Sequence, residues 1–291
     1  MAAMGTCTLG ILSDIHYASA AEQARGGDFE SSGITNPLAR PFARWFRHFI
    51  WLREPLRKNH LLDLFIERGA CFDYVIANGD YSCNSAFVGL SDDAACQSAR
   101  ECLQKLRQRF GANLRANYGD HELGKIATFG SRGGMRLASW HRTRDELGLP
   151  PFWQLDIGSY ALLGFVSTLV ALPVFEAEIL PAERPEWERL RAEHLAEIRG
   201  AFAALRPGQR VLLFCHDPTA LPFLWREEAI RARLPQIEHT IIGHLHTNLV
   251  LWNSRLLAGI ELLKDGGYCT IELDPEARHP ARFRFHRLPG P

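Results

Sequence analysis

The chain has 291 residues, of which 46% are hydrophobic, enough to bury the core of one large α/β domain. Lysine and arginine together number 33, as do aspartate and glutamate, so the formal net charge is zero and gives no support for a nucleic-acid partner. The seven cysteines contain no CxxC pair, and their odd number favours reduced thiols in a cytosolic protein over a disulfide framework.

Strands and helices alternate through the first two thirds of the chain. Apolar runs predict strands over residues 6–13, 72–77, 112–118, 153–156, 160–166, 211–215 and 240–242. Apolar residues at helical spacing predict helices over residues 37–56, 61–68, 92–110 and 185–205. Short strands follow from residue 248 to about residue 288, with turns at 253–254 and 265–267. We interpret residues 1–291 as one domain, with a partly parallel sheet and a second, more antiparallel sheet made by the hairpins at the end.

Five short polar motifs each follow a predicted strand. In chain order they are DIH at 14–16, GD at 79–80, GDHE at 119–122, a single histidine at 216, and GHLH at 243–246. Ligands gather at the carboxyl ends of strands in open α/β sheets, so we expect these motifs to converge. They supply seven candidate metal ligands: Asp14, His16, Asp80, Asp120, His216, His244 and His246. Seven ligands are enough for two adjacent ions, an arrangement suited to phosphoryl transfer.

The types of ligand indicate which metals fit. Mixed carboxylate and imidazole ligands suit manganese first, with iron or zinc as alternatives, better than magnesium or calcium. No cysteine is among the candidates, which argues against a structural zinc site. Asp80 is the candidate bridge, because each carboxylate oxygen can take one metal, while Gly79, Gly119 and Gly243 leave room for tight turns. Each motif alone is weak evidence, but five in this order predict a metal site.

The order DxH, GD, GNH(E/D), H and GHxH resembles that of the calcineurin-like metallophosphoesterases, and the resemblance runs from Asp14 to His246. It implies a four-layer αββα sandwich, in which two mixed β-sheets are flanked by helices. It also implies one ion held by Asp14, His16, Asp80 and His246, and a second held by Asp80, Asp120, His216 and His244. A water or hydroxide between the ions would then attack phosphorus. Asp80 and His121 are the implied catalytic pair, with His121 giving a proton to the leaving oxygen or stabilising the phosphoryl charge.

The chain departs from the family pattern at two positions. Asp120 stands where asparagine is usual, which adds a negative charge and removes an amide that could bind phosphate. Some relatives have an aspartate that orients the histidine equivalent to His121, but here that place is Cys83, followed by Asn84. Asn84 is either a substitute hydrogen-bonding group or an ordinary loop residue. We expect Glu122 to support the site or cap its loop rather than to act on substrate.

The most distinctive stretch outside the motifs is a basic aromatic helical insertion at about residues 26–60. Its aromatic residues recur at helical spacing among arginines, which is typical either of a helix on an anionic membrane or of a helix packed on the sheet with solvated arginines. The candidate substrate contacts here and in the loop after the second motif are Asn84, Trp45, Arg44 and Arg47.

These patterns lead to one main hypothesis and several alternatives. The main hypothesis is a metal-dependent hydrolase of phosphoester or pyrophosphate bonds, acting on a phosphorylated small molecule or a lipid-linked substrate. One family branch cleaves UDP-2,3-diacylglucosamine in lipid A synthesis, although members of that branch often carry arginine where this chain has His121. The alternatives are a nucleotide phosphodiesterase and a non-catalytic metal-binding scaffold of the same fold. We expect a cytoplasmic protein, peripheral to the inner membrane if the insertion meets lipid, because no secretory leader is visible in residues 1–10.

Overall fold

The computed structural model of the chain describes residues 5–46, 55–83, 85, 87–124, 133–243, 256–257 and 266–288. Its strands are β1 (Cys7–Leu12), β2 (Tyr74–Ala77), β3 (Leu114–Ala116), β4 (Phe152–Ile157), β5 (Tyr160–Phe165), β6 (Arg210–Cys215), β7 (Ile237–Ile242), β8 (Leu256–Leu257), β9 (Gly267–Leu273) and β10 (Arg282–Arg287). Its α-helices are α1 (Ala20–Arg25), α2 (Ala39–Phe46), α3 (Asn59–Arg68), α4 (Asp93–Phe110), α5 (Asp120–Leu123), α6 (Leu137–His141), α7 (Ser167–Val170), α8 (Arg184–Ala203), α9 (Leu221–Leu224) and α10 (Glu228–Arg231).

The strands form two mixed sheets, in the orders β10-β9-β1-β2-β3 and β4-β5-β6-β7-β8. Side chains from both sheets share one buried cluster, in which Leu9 and Ile11 of β1 join Leu212 and Phe214 of β6. The opposite sheet faces belong to a second cluster that contains the apolar residues of α4 and α8. Helices therefore cover both outer faces, and the four-layer αββα sandwich is confirmed.

Strands β9 and β10 do not join the second sheet, contrary to expectation. β9 pairs antiparallel with β1, with Ile271 opposite Leu9, and β10 pairs with β9. The second sheet is parallel from β5 to β8, and in the described part of the chain only β4 runs antiparallel in it. The alternating apolar residues of β9 predict which face is buried, but not which strand lies beside them. The edge of β1 that faces away from β2 takes β9, and this pairing adds Ile271 to the core between the sheets.

Helix α4 shows how the local sequence sets the two ends of an element that packs in the core. The side chain of Asp92 accepts a hydrogen bond of 2.9 Å from the backbone N–H of Ala95, which caps the first turn. The helix ends at Gly111, which has a φ of 54°, a conformation that glycine adopts at little cost. Cys96 and Cys102 are buried on its apolar face, and all seven cysteines of the chain are free, as the composition predicted.

The insertion contains helix α2, and three large apolar side chains among its described residues face outward. Leu38 is 82% exposed, Phe42 56% and Trp45 50%, so these residues are not packed on a sheet. A short helix, α1, precedes the insertion. Within the described part of the chain, no helix combines the length and the apolar character that a membrane crossing needs.

Candidate metal centre

The candidate site lies where the two sheets meet, at the carboxyl ends of their strands. The positions are as follows: Asp14 and His16 after β1, Asp80 after β2, Asp120 and His121 after β3, and His216 after β6. Gly243 follows β7 and donates its backbone N–H to the carbonyl oxygen of His216 at 3.0 Å. The described residues of all five motifs therefore reach the same edge of the sandwich.

One oxygen, Oδ2 of Asp80, is the centre of the site. The Nε2 atoms of His216, His16 and His121 lie 3.2, 3.9 and 3.9 Å from it. Two groups among the described residues hold candidate ligand atoms within 4.8 Å of one another: His16, Asp80 and His121, and Asp14, Asp80 and His216. Asp80 belongs to both groups, so the geometry places it between two potential metal positions.

The other oxygen of Asp80 is already engaged. Oδ1 accepts a hydrogen bond of 3.1 Å from the backbone N–H of His121. Oδ2 is the oxygen that faces the imidazoles. A carboxylate oxygen has two lone pairs, so Oδ1 keeps one for a metal, and the expectation that each oxygen of Asp80 takes one ion stays a prediction. Sequence could not reveal the bond to Oδ1, because it joins loops 41 residues apart.

Backbone carbonyl groups orient two of the imidazoles. Nδ1 of His216 lies 2.6 Å from the carbonyl oxygen of Asn78, and Nδ1 of His16 lies 3.2 Å from that of Ser82. A carbonyl oxygen can only accept, so Nδ1 carries the proton in each ring. In the neutral form, Nε2 then presents a lone pair, and Nε2 is the atom that faces Asp80. Both rings are thus held in the tautomer that a metal needs.

The backbone at the site is in an unusual conformation. Of the four described non-glycine residues with positive φ, three are candidate ligands: Asp14 at 52°, His16 at 48° and Asp80 at 59°. Such a conformation costs on the order of 1 kcal/mol per residue for L-amino acids and persists where the surroundings enforce it. The strain therefore coincides with the residues that the motifs singled out.

Two glycines of the motifs allow the loops to approach closely. A Cβ atom at Gly119 would lie 2.0 Å from Oδ1 of Asp80, and one at Gly243 would lie 2.2 Å from Oγ of Ser13. Any side chain would push the loops apart, so close contact between them requires glycine at both positions.

The electrostatics of the site favour cations. Asp14, Asp80 and Asp120 are all buried, and buried carboxylates need compensating positive charge. Burial alone would raise the pKa of Asp80, but His121 and His216 outweigh it and hold that pKa well below its usual value. Burial lowers the pKa of His216, but Asp80 and Asp120 reverse this and raise it well above its usual value. Carboxylate oxygens and imidazole nitrogens in this arrangement fit divalent manganese, iron or zinc.

An amide network beneath the site was not predicted from sequence. The side chain of Asn117 donates to Oδ1 of Asn78 at 2.8 Å and to the carbonyl oxygen of Phe214 at 3.2 Å. Its Oδ1 accepts from Nε1 of Trp153 at 2.7 Å. These bonds connect loops of the first sheet with β4 and β6 of the second. The available signal was an asparagine directly after each of two buried strands, where an apolar residue is more usual.

Other candidates lie away from the centre or outside the described residues. His244, His246, Asn84 and Arg47 fall outside the residues that the structure describes. Arg44 and Trp45 lie on α2, where Arg44 forms an ion pair with Asp28. Cys83 is buried, and its backbone N–H donates to Oε2 of Glu22 at 3.2 Å.

Several solved structures are similar to this chain. The purple acid phosphatase PPD1 from yellow lupin (Lupinus luteus) seeds matches with a TM-score of 0.50 and 11% identity, over 97% of this chain and 52% of that one. A Staphylococcus aureus protein, provisionally described as a 5'-nucleotidase, matches with a TM-score of 0.44 and 11% identity, over 92% and 51% of the two chains. Phosphopantetheinyl hydrolase (PptH) from Mycobacterium tuberculosis matches with a TM-score of 0.40 and 16% identity, over 87% and 88%.

This chain spans about half the length of the lupin and staphylococcal structures. No family model matches the sequence, and no curated protein matches it either. The similarity to the lupin phosphatase concerns the fold alone. This fold agrees with the one that the order of the motifs implied. The chain therefore has the fold of the calcineurin-like metallophosphoesterases, and the resemblance seen in its motifs is confirmed at that level.

Proposed function

We propose that this protein hydrolyses phosphoester or phosphoanhydride bonds with the help of two divalent metal ions. The observation that carries the proposal is the convergence of Asp14, His16, Asp80, Asp120 and His216 on one buried point between the sheets. A structure that shares the fold is a purple acid phosphatase, which supports the same reaction class.

The ligand sets follow the resemblance. Asp14, His16, Asp80 and His246 would hold one ion, and Asp80, Asp120, His216 and His244 the other. When bound, the ions would lower the pKa of a coordinated water towards neutrality. They would also offset the negative charge on the phosphoryl oxygens. Manganese is the metal we propose, with iron and zinc as alternatives.

His121 is the residue we propose to give a proton to the leaving oxygen. Its ring stands edge-on to that of His16, with the ring centroids 4.8 Å apart, and its side chain keeps 13% exposure. The other imidazoles of the described site are almost fully buried. Partial exposure leaves His121 accessible to a bound substrate, and imidazole is suited to proton transfer near pH 7.

The test combines metal analysis with a small substrate panel. Purified protein is assayed with Mn²⁺ on bis-p-nitrophenyl phosphate and on p-nitrophenyl phosphate, and we expect turnover of at least one. Asp80→Ala should abolish turnover, whereas His141→Ala, which changes an exposed histidine on α6, should not alter it. Failure with Mn²⁺, Fe²⁺, Zn²⁺ and Mg²⁺ on both esters and on UDP-2,3-diacylglucosamine would favour the non-catalytic scaffold.

For the substrate, we propose a lipid-linked phosphoanhydride such as UDP-2,3-diacylglucosamine. The support is the exposed face of Leu38, Phe42 and Trp45, which stands beside Arg40 and Arg44. An apolar face flanked by arginine suits contact with an anionic membrane surface. A nucleotide phosphodiester is the alternative substrate, to be tested in the same panel.

Liposome flotation tests the membrane contact. We expect the protein to float with vesicles containing anionic lipid and to stay behind with neutral vesicles. Trp45→Glu should abolish flotation, whereas Trp225→Glu, at a tryptophan that is 40% exposed elsewhere, should leave it unchanged. Equal flotation of both variants would contradict the contact.

A cytoplasmic location at the inner membrane and a single domain over residues 1–291 remain part of this proposal.

A further inference from the structure

The carboxylate of Glu122 joins two loops of the candidate metal centre. It is fully buried and accepts three backbone hydrogen bonds. Oε2 accepts from the N–H groups of Gly119 at 2.6 Å and Asp80 at 2.9 Å, and Oε1 accepts from that of Tyr81 at 2.8 Å. Gly119 lies in the loop after β3, and the other two donors lie in the loop after β2.

The conformation of the loop after β2 explains why a carboxyl group that accepts hydrogen bonds sits there. Gly79 has a φ of 97° and Asp80 a φ of 59°, so the chain passes through the left-handed region at two consecutive residues. Successive N–H groups in such a turn can point to the same side and form a concave anion-binding nest. Here the N–H groups of Asp80 and Tyr81 both point to Glu122, so the chain itself supplies the acceptor oxygens.

A second bond joins the same loops in the opposite direction. Oδ1 of Asp80 accepts from the backbone N–H of His121, one residue before Glu122. Each loop therefore offers a carboxylate to the backbone of the other. These reciprocal hydrogen bonds of Glu122 and Asp80 leave Oδ2 of Asp80 directed at the imidazoles. They also hold Asp120 in a fixed place at the start of α5.

We infer that Glu122 is a positioning residue that sets the spacing of the candidate ligands Asp80 and Asp120. It touches backbone groups of the ligand loops and acts through them. This inference rests on the proposed metal centre, since a spacing of ligands matters only if they bind ions. Removal of a group that orients a metal ligand by hydrogen bonding typically lowers the metal affinity 10-fold to 100-fold.

Glu122→Gln is the isosteric test. The amide keeps one oxygen but turns the other acceptor into a donor, which then faces a backbone N–H. We expect the variant to bind Mn²⁺ at least about 10-fold more weakly than the parent protein in calorimetric titration. We also expect the electron paramagnetic resonance spectrum of the parent with two Mn²⁺ equivalents to show spin-coupled ions, and the variant to show uncoupled Mn²⁺.

A matched control separates positioning from general stability. Glu238, near the start of β7 and at the opposite end of the sheet, also accepts a backbone hydrogen bond, from Ala281 at 2.6 Å. Glu238→Gln should lower the melting temperature but leave the Mn²⁺ affinity within about twofold, since only ligand partners carry the affinity effect. If Glu122→Gln does not fold, Glu122→Asp keeps the charge, cannot reach both loops, and should show the same loss of coupling.

The outcomes separate this inference from the proposed function. A parent protein that binds no Mn²⁺, Fe²⁺ or Zn²⁺ would overturn the metal centre itself, and the inference with it. A parent that binds two ions while the Glu122 variants bind them with unchanged affinity and coupling would overturn the inference alone. Equal losses of affinity in the Glu122 and Glu238 variants would also overturn it, because stability alone would then explain the effect.

Discussion

The carbonyl oxygen of Asn78 accepts a hydrogen bond of 2.6 Å from Nδ1 of His216. Asn78 follows β2 of the first sheet, and His216 follows β6 of the second. Through this bond, a backbone group of the first sheet orients a candidate ligand of the second. The site therefore depends on how the two sheets are held together, and Asn117 is the residue that links them directly beneath.

We predict that Asn117→Leu destabilises the fold by about 2–6 kcal/mol. The change leaves Nε1 of Trp153 and Oδ1 of Asn78 without their buried partner, and each unsatisfied group costs roughly 1–3 kcal/mol. Urea unfolding followed by circular dichroism measures the difference. Gln154→Leu, at an exposed position on β4, is the control and should fall within about 0.5 kcal/mol of the parent. A change of that small size for Asn117→Leu would show that the network contributes little.

We predict that His121→Asn separates substrates by their leaving groups. A p-nitrophenolate leaving group needs little protonation, so its ester should be hydrolysed almost as fast by the variant as by the parent. An alkyl phosphoester should slow by about 100-fold or more, the usual contribution of a proton donor. Steady-state rates on both esters, with metal content measured in parallel, check this. Equal slowing of the two esters would contradict the proton-donor role.

We predict that Asp120→Asn keeps the fold and binds two ions more weakly. Asparagine has the same shape and retains a ligand oxygen, but it removes one of the buried negative charges that attract cations. The ions then receive less negative charge from their ligands and polarise the substrate more strongly, so kcat should rise or stay equal while the Mn²⁺ affinity falls. Calorimetry and steady-state kinetics measure the two effects. Loss of both ions in this variant would count against the ligand assignment.

We predict that His194 makes the protein less stable in mild acid. Burial lowers the pKa of this histidine to about 3, although its Nε2 accepts the backbone N–H of Val166 at 3.1 Å. The folded protein therefore keeps His194 neutral, while the unfolded chain takes up a proton below a pH of about 6.5. The resulting stability is present above that pH and is lost progressively as the pH falls towards 3.

The expected loss from His194 between pH 7 and pH 4.5 is about 2.5 kcal/mol. Urea unfolding of the parent and of His194→Gln at both pH values isolates the contribution of His194 to the free energy of unfolding, because the two proteins share all other titrating groups. The stability of the variant should fall less than that of the parent, by this amount. Parallel losses in the two proteins would mean that His194 is protonated in the fold.

The sequence by itself determined the candidate ligands and most of the elements. Apolar runs and helical periodicity are local signals, so β1, β5, α4 and α8 lie close to where they were predicted. The motifs contain the candidate carboxylate and imidazole ligands, and such groups meet at the carboxyl ends of strands in α/β folds. Convergence of Asp14, Asp80 and His216 could therefore be predicted, although they are far apart in the chain.

Only the tertiary structure decided which strands are neighbours and which atoms face the centre. Alternation in β9 marks a buried face but not a partner, so its pairing with β1 had to be observed. Likewise, the bond to Oδ1 of Asp80 and two of the three bonds to Glu122 join residues about 40 positions apart. Such bonds form between loops that the sheets bring together, and no local pattern of residues encodes their geometry.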